Sequence, residues 1–285
     1  MRKRWAVIFN CQSEGLASSV DCLAREIDCS TFFPWDFKRI IADEPGYFRN
    51  FDFAVVSNEI GDWTGELPYV LPPHIRLPSF QFSAFHPDSV YVFAAGKILS
   101  GKMSDYHSMI ALAAYKEGLC AERAATFFNR RIFEVANYFD TWVPAREALA
   151  ARYREAGFDI AHLFVRAARH GPFMHTVNHP KIEVLFEIAR LLLKRLDQPM
   201  FDGVEPPPDK LAGLSWPIYP EIGEQLGLPG SYLFKPAGQH KPLELVPFLT
   251  ESLTVFEQWD RSQLRVIRRL QRFLQEIRAE MRSDQ

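Results

Sequence analysis

The chain of 285 residues is 47% hydrophobic, 14% aromatic and 24% charged, which supplies a sizeable core and excludes a disordered chain. A formal net charge of −2 and a pI near 6.5 argue against a general nucleic-acid binder. Four cysteines (Cys11, Cys22, Cys29 and Cys120) form no CxxC pair or zinc-ligand spacing. No stretch approaches the roughly 18 apolar residues of a membrane span, and the apolar run behind Arg4 ends at Asn10, too short for a signal-peptide core. A cytoplasmic chain with reduced thiols is expected.

The first hundred residues read as α/β. The apolar run Trp5–Phe9 predicts a buried strand and Ser13–Ile27 a helix. Cys29–Trp35 is β-prone and closed by Pro34; Phe51–Val56 is a third strand, His74–Phe82 a fourth, and Ser89–Phe93 a short fifth. Short strands separated by helical or irregular connections predict a parallel sheet, with ligands beyond the carboxyl ends of its strands.

From Ser104 the pattern is helical. Ser104 reads as the N-cap of a helix through Tyr115 closed by Gly118, followed by helices at 121–128, 132–139, 144–156 and 160–169. Pro180 suits the first position of a strongly amphipathic helix carrying Ile182, Leu185, Phe186, Ala189, Leu192 and Leu193. Residues 199–243 are Pro-rich and irregular and read as a wrapping arm or lid. Residues 244–285 read as two helices, the last with apolar positions from Leu264 to Met281 and a basic face that is most simply solvated. The expected organisation is an α/β catalytic domain with a helical insertion over 1–198, the arm over 199–243, and the terminal helices.

Asn10-Cys11-Gln12 stands where the first strand turns into the first helix. A helix N-terminus favours an anion there, which predicts a thiol pKa lowered toward neutrality and a prepared nucleophile. Four histidines lie in further polar clusters at element junctions: Phe85-His86-Pro87-Asp88, Asp105-Tyr106-His107-Ser108, Phe173-Met174-His175-Thr176 and Asn178-His179-Pro180. With Pro180 opening a helix, His179 takes the cap site, where the imidazole stays neutral and able to accept a proton. Cys11 and His179 then form a candidate nucleophile–base pair, with Asn178, Asp88 or Asp105 available to orient the ring. The backbone N–H of Gln12 and the amides of Asn10 or Asn58 are candidate oxyanion donors. No HxH or HExxH spacing supports a metal, and no GxGxxG or Walker-type loop is present.

Taken in order, these clusters resemble the WcbI family of capsular polysaccharide acetyltransferases. The family pattern of a first strand followed by Gly-Asn-Cys-Gln, then His-Pro-Asp, Asp-Tyr-His-Ser and Phe-Met-His-(Ser/Thr)-x-Asn-His-Pro reads here as Phe9-Asn10-Cys11-Gln12, His86-Pro87-Asp88, Asp105-Tyr106-His107-Ser108 and Phe173-Met174-His175-Thr176-Val177-Asn178-His179-Pro180. Phe9 stands where the family has glycine, which bears on the shape of the acyl pocket. The resemblance spans about residues 4–196 and, more distantly, extends to SGNH-type esterases, implying an SGNH-like or flavodoxin-like sheet. It implies an acyl-CoA-dependent O-acetyltransferase with acetyl-CoA as donor, a sugar or polysaccharide acceptor and no metal. His86, Asp88, Tyr106, His107, Ser108 and His175 would then line the cleft for CoA or sugar. Self-association as a homo-oligomer is compatible with this reading. An SGNH-like esterase using the same groups and a non-catalytic carbohydrate-binding assembly protein are the alternatives.

Overall fold

The computed structural model describes residues 2–60 and 70–284, with the backbone alone for 166–170. In chain order its elements are β1 (Lys3–Ile8), α1 (Ser13–Leu23), β2 (Ile27–Phe32), α2 (Pro34–Asp43), β3 (Phe53–Ser57) and β4 (His74–Leu77). Then follow β5 (Ser89–Val90), β6 (Phe93–Ala94), β7 (Lys97–Ile98), β8 (His107–Ser108), α3 (Met109–Glu117), α4 (Ala121–Ala125) and α5 (Arg130–Val135). The remainder comprises α6 (Trp142–Glu155), α7 (Ala161–His170), β9 (Met174–Thr176), β10 (His179–Pro180), α8 (Ile182–Arg195), α9 (Pro220–Leu226), α10 (Leu245–Phe256) and α11 (Gln271–Ser283). The chain divides into two compact units, one of residues 1–81, 146–174 and 178–212, the other of 82–145, 175–177 and 213–285. This division does not follow the boundaries expected at 198 and 243.

The first unit is α/β, built on a parallel sheet in the order β2-β1-β3-β4. That order is flavodoxin-like, and it reverses direction between β1 and β3, the switch point at which such sheets bind ligands. Along β1 the side chains alternate between two buried faces, which is why the run reads as continuously apolar. Ala6 and Ile8 join Ala54, Val56, Phe37, Phe48 and Phe51 in one cluster, while Trp5 and Val7, also buried, point the opposite way. Helix α1 packs on α8, and Gly15 permits the close approach: a Cβ there would lie 2.5 Å from Leu185 Cδ1. Register places Ile8 beside both Phe32 and Val56, and Ser57 beside Leu77, so the chain leaves β1, β3 and β4 at one rim.

Three expectations change in this unit. The first helix ends at Leu23 rather than Ile27, because Ile27 already pairs with Lys3 in β2. Pro34 does not merely stop a strand; it occupies the first turn of α2, a helix the sequence pattern hides. The fourth strand ends at Leu77, because the following residues turn their polar groups toward the rim described below.

In the second unit, β5 pairs antiparallel with β8, so the expected fifth strand is not part of the parallel sheet. β6 and β7 form a hairpin whose two turn residues, Ala95 and Gly96, both have positive φ (47° and 76°), as a tight type I′ turn requires. Helix α3 starts at Met109, not Ser104. The cap is Ser108, whose Oγ accepts the Ala111 N–H at 3.0 Å, whereas Ser104 is left-handed with φ 55°. Gly118, φ 76°, ends the helix as read.

The last helix begins at Gln271 rather than near Leu264. Arg265 exchanges two main-chain hydrogen bonds with Phe93 (2.8 and 2.9 Å), which holds that stretch extended. Leu274, Ile277 and Met281 are buried, and two arginines of the basic face, Arg278 and Arg282, reach Glu117 at 2.6 and 2.7 Å. Within residues 213–243, Trp216, Tyr219 and Phe234 are buried, and Phe234 stacks on Phe248 at 3.7 Å. This part of the segment expected to be an arm or lid thus contributes three buried rings to the second unit. No helix among the described residues is long and apolar enough to cross a membrane.

Candidate active site at the carboxyl ends of β1 and β3

The chain leaves β1 through Asn10-Cys11-Gln12 into α1. Asn10 organises this turn with its main-chain oxygen and its carboxamide. Its main-chain oxygen accepts the Ser13 N–H at 3.0 Å, its Oδ1 accepts the Gln12 N–H at 3.0 Å, and its Nδ2 donates to Ser79 Oγ at 2.9 Å. Gln12 is buried. Its carboxamide pairs with Phe80 in both directions, Nε2 to the carbonyl at 2.9 Å and Oε1 from the N–H at 3.0 Å. The same Nε2 donates to the carbonyl of Asn178 at 2.9 Å. One side chain thus bolts together the end of β1, the segment after β4 and the approach to His179. Buried amides must be satisfied in this way or destabilise the fold.

Cys11 is half-buried, and burial pushes its thiol up to about 11, with a backbone hydrogen bond opposing in part. This reverses the expectation of a lowered pKa. Desolvation is the dominant cause, and two N–H groups at the start of α1 are engaged within the turn, Gln12 on Asn10 Oδ1 and Ser13 on the Asn10 carbonyl. At pH 7 such a thiol carries roughly one thiolate in 10⁴, and it needs a base to react. The Gln12 N–H, expected as an oxyanion donor, is the group that Asn10 occupies.

β3 delivers Ser57-Asn58-Glu59 to the same rim. Of the three, only Asn58 is a predicted site residue, and its exposed side chain is not the group that reaches Asn10; its N–H bonds the Leu77 carbonyl at 3.1 Å. Its neighbours do the bonding. Glu59 Oε2 accepts the hydroxyls of Ser79, at 2.8 Å, and Ser57, and Arg152 pairs with Oε1 at 3.8 Å. Ser57, Glu59 and Ser79 are the site residues sequence reasoning missed. The signal was a polar triplet directly after a buried strand, at the same sheet end as Cys11.

His179 is half-buried in β10, two residues outside helix α8, whose N-cap is Lys181. The expected cap site for His179 is therefore corrected. Asp209 Oδ2 serves the helix start instead, accepting the Ile182 N–H at 3.1 Å, and Lys181 N–H bonds the Phe173 carbonyl at 2.9 Å. The helix-terminus argument for a neutral imidazole does not apply two residues upstream. What survives is adjacency: the residue after Cys11 holds the main chain of the residue before His179.

The other predicted contact residues lie in the second unit, and most are framework. Asp88 is fully buried. Its Oδ1 accepts the Tyr138 hydroxyl (2.7 Å) and the Ile110 N–H (3.0 Å), and its Oδ2 the Tyr219 hydroxyl (2.7 Å). Burial pushes its carboxyl upward against these bonds and pushes both phenols up as well. Both of its oxygens are engaged by these groups. Asp105 accepts the Ser100 hydroxyl. His107 is buried on Phe256 with Nε2 at 3.1 Å from the Leu99 carbonyl, and burial lowers its pKa. His86 is buried with Nδ1 at 3.3 Å from the Pro217 carbonyl, Tyr106 is buried 5.6 Å from Tyr91, and Ser108 is the α3 cap. All five side chains are buried, whereas an open cleft lining was expected of them. His175 is half-buried, and its carbonyl accepts the Trp216 N–H at 2.8 Å.

Two clefts of about 310 and 210 Å³ open in the first unit, but beside Lys3, Ile27 and Phe53, at the amino ends of the strands and away from Cys11. Among the described residues no group of three or more His, Cys, Asp or Glu could hold a metal. All four cysteines are free.

A family profile described as "Polysaccharide biosynthesis enzyme WcbI" matches residues 4–200. The fold is similar to a solved structure of WcbI, described as a novel polysaccharide biosynthesis enzyme in a native form without a disulfide bond between coenzyme A and one of its cysteines. That similarity has a TM-score of 0.69 at 14% identity and covers 99% of each chain. No curated protein sequence matches the chain.

Proposed function

The chain belongs to the WcbI family of polysaccharide biosynthesis enzymes, and from that premise we propose that it is an acyl-CoA-dependent O-acetyltransferase acting on a sugar hydroxyl of a surface or capsular polysaccharide or its precursor. One observation carries the site assignment: the Gln12–Asn178 hydrogen bond of 2.9 Å, which ties the Cys11 turn to the His179 turn at the switch point of a flavodoxin-like sheet.

In this reading acetyl-CoA is the donor and Cys11 Sγ the nucleophile. A thiol held near pKa 11 stays protonated until used, so proton removal belongs to His179. Sγ attacks the thioester carbonyl as its proton passes to His179. The CoA sulfur leaves with that proton, and an acetyl group remains on Cys11. His179 then takes the proton of the sugar hydroxyl, whose oxygen attacks the acetyl-cysteine carbonyl. Cys11 leaves and is reprotonated by His179, so both half-reactions balance. Asn58 and the Gln12 N–H are the candidate oxyanion donors, the latter once Asn10 releases it. Losing one such donor typically costs about a hundredfold in rate. A donor such as acetyl-CoA accords with a cytoplasmic enzyme.

Intact-mass analysis after mixing with acetyl-CoA tests the covalent route. One acetyl group is expected on wild-type protein, mapped to the Cys11 peptide, and none on Cys11→Ala. No adduct, together with full transfer activity in Cys11→Ser, overturns the acyl-cysteine step. A thermal-shift rise with glycans alone and none with CoA favours the carbohydrate-binding alternative.

A further inference from the structure

The hydrogen bonds that link Glu59 to Cys11 run in one direction. Glu59 Oε2 accepts the Ser79 hydroxyl at 2.8 Å. A carboxylate only accepts, so the Ser79 proton points to Glu59 and its oxygen is left as an acceptor. Asn10 Nδ2 donates into that oxygen at 2.9 Å. The Asn10 amide is thereby turned with Oδ1 toward the turn, where the Gln12 N–H reaches it at 3.0 Å and Cys11 Sγ at 3.9 Å. A main-chain N–H only donates. Each end of the relay therefore favours the same orientation of the carboxamide between them, and loss of either end weakens that preference.

Glu59 is held for this task. Beyond Ser79 Oγ it receives the Ser57 hydroxyl, the Ser79 N–H at 3.3 Å and Arg152 at 3.8 Å, while its own N–H bonds Ser57 Oγ at 3.2 Å. Four partners on one carboxylate leave it little freedom to turn.

We propose that Glu59, acting through Ser79, is the positioning residue that sets the hydrogen-bond polarity at Cys11. It keeps the Asn10 carboxamide oxygen toward the thiol and the Gln12 N–H occupied in the resting enzyme. An oxygen facing Sγ favours S–H over the thiolate; an amide N–H facing it would do the opposite. Turning the Asn10 amide over would both stabilise the thiolate and free the Gln12 N–H for an oxyanion. No covalent bond changes, and the thiol proton stays on Sγ until a base takes it. This inference rests on Cys11 being the reactive group proposed above.

The test is the pH profile of Cys11 alkylation by iodoacetamide, read by peptide mass mapping with no acyl donor present. In Glu59→Gln the new amide donates to Ser79, whose hydroxyl reverses toward Asn10. In Ser79→Ala the acceptor for Nδ2 is gone. Both variants are expected to lower the alkylation midpoint by about one pH unit, a roughly tenfold faster reaction at pH 8, while Ser79→Thr keeps the wild-type profile. A purely structural role for Glu59 would lower the melting temperature without moving the midpoint. Folded variants whose profiles superimpose on wild type, or shift upward, overturn the proposal. If Glu59→Gln melts early, Ser79→Ala decides alone. Because no acetyl group is involved, failure of acetyl transfer sinks the transferase reading and leaves this inference standing; a flat profile does the reverse.

Discussion

The rim around Cys11 and the cluster around Asp88 are both networks of polar side chains that motif reading marks as functional, yet they are built for opposite ends. Asp88 is sealed, with two phenols and a main-chain N–H saturating its carboxyl inside the second unit. The rim is half-open: Glu59, Ser79 and Asn10 spend their bonds on one another and leave a protonated thiol at the end of the line. A polar motif with all of its capacity consumed internally is framework. One that ends on a reactive atom can do chemistry.

Removing the centre of the sealed cluster should give the largest effect. Asp88→Ala strands Tyr138, Tyr219 and the Ile110 N–H in a buried site and is expected to cost about 3–5 kcal/mol in denaturant unfolding. A loss near zero would mean that the cluster is not a staple. At the rim, His179→Ala is expected to slow transfer by about 10²–10⁴-fold with the melting temperature nearly unchanged, in steady-state assays paired with calorimetry. Gln12→Ala should show both behaviours at once, destabilising by about 2–3 kcal/mol and lowering transfer, since its amide serves Phe80 and Asn178 together.

Wild-type Cys11, its thiol held near 11, should alkylate about tenfold faster per pH unit from 7 to 10 with no plateau in that range. The unfolded thiol ionises first, so the same upward shift should remove stability as pH climbs from about 9 toward 11. A plateau near pH 8 would mean that the rim already holds the thiolate. The smallest effect belongs to the basic tail: Arg282→Ala, half-exposed beside Glu117, is expected to cost under about 1 kcal/mol by urea denaturation.

Much of the scaffold was legible in the chain. The apolar run at Trp5–Phe9, the helical spacing of 182–193 and Gly118 as a terminator all correspond to β1, α8 and the end of α3. The placement of Asn10-Cys11-Gln12 beyond a strand was legible too. Helix α2 was not, because a Pro-Trp start after a β-prone stretch imitates a strand ending. Ser104 reads locally as the cap, but the pairing of β8 with β5 keeps 107–108 extended and moves the helix start to Ser108. Glu59 and Ser79 went unread because their importance lies in contacts across some twenty residues of chain.

By itself, the sequence determined which residues form the central strand, which cysteine follows it, and which histidine motif comes later, because hydrophobic period and turn chemistry are local. Tertiary structure alone decided how the thiol is tuned. Burial raised its pKa where a bare helix end would have lowered it, and Asn10 engaged two of the N–H groups at that helix start. Desolvation and hydrogen-bond direction depend on what arrives from other strands, and no local pattern encodes that.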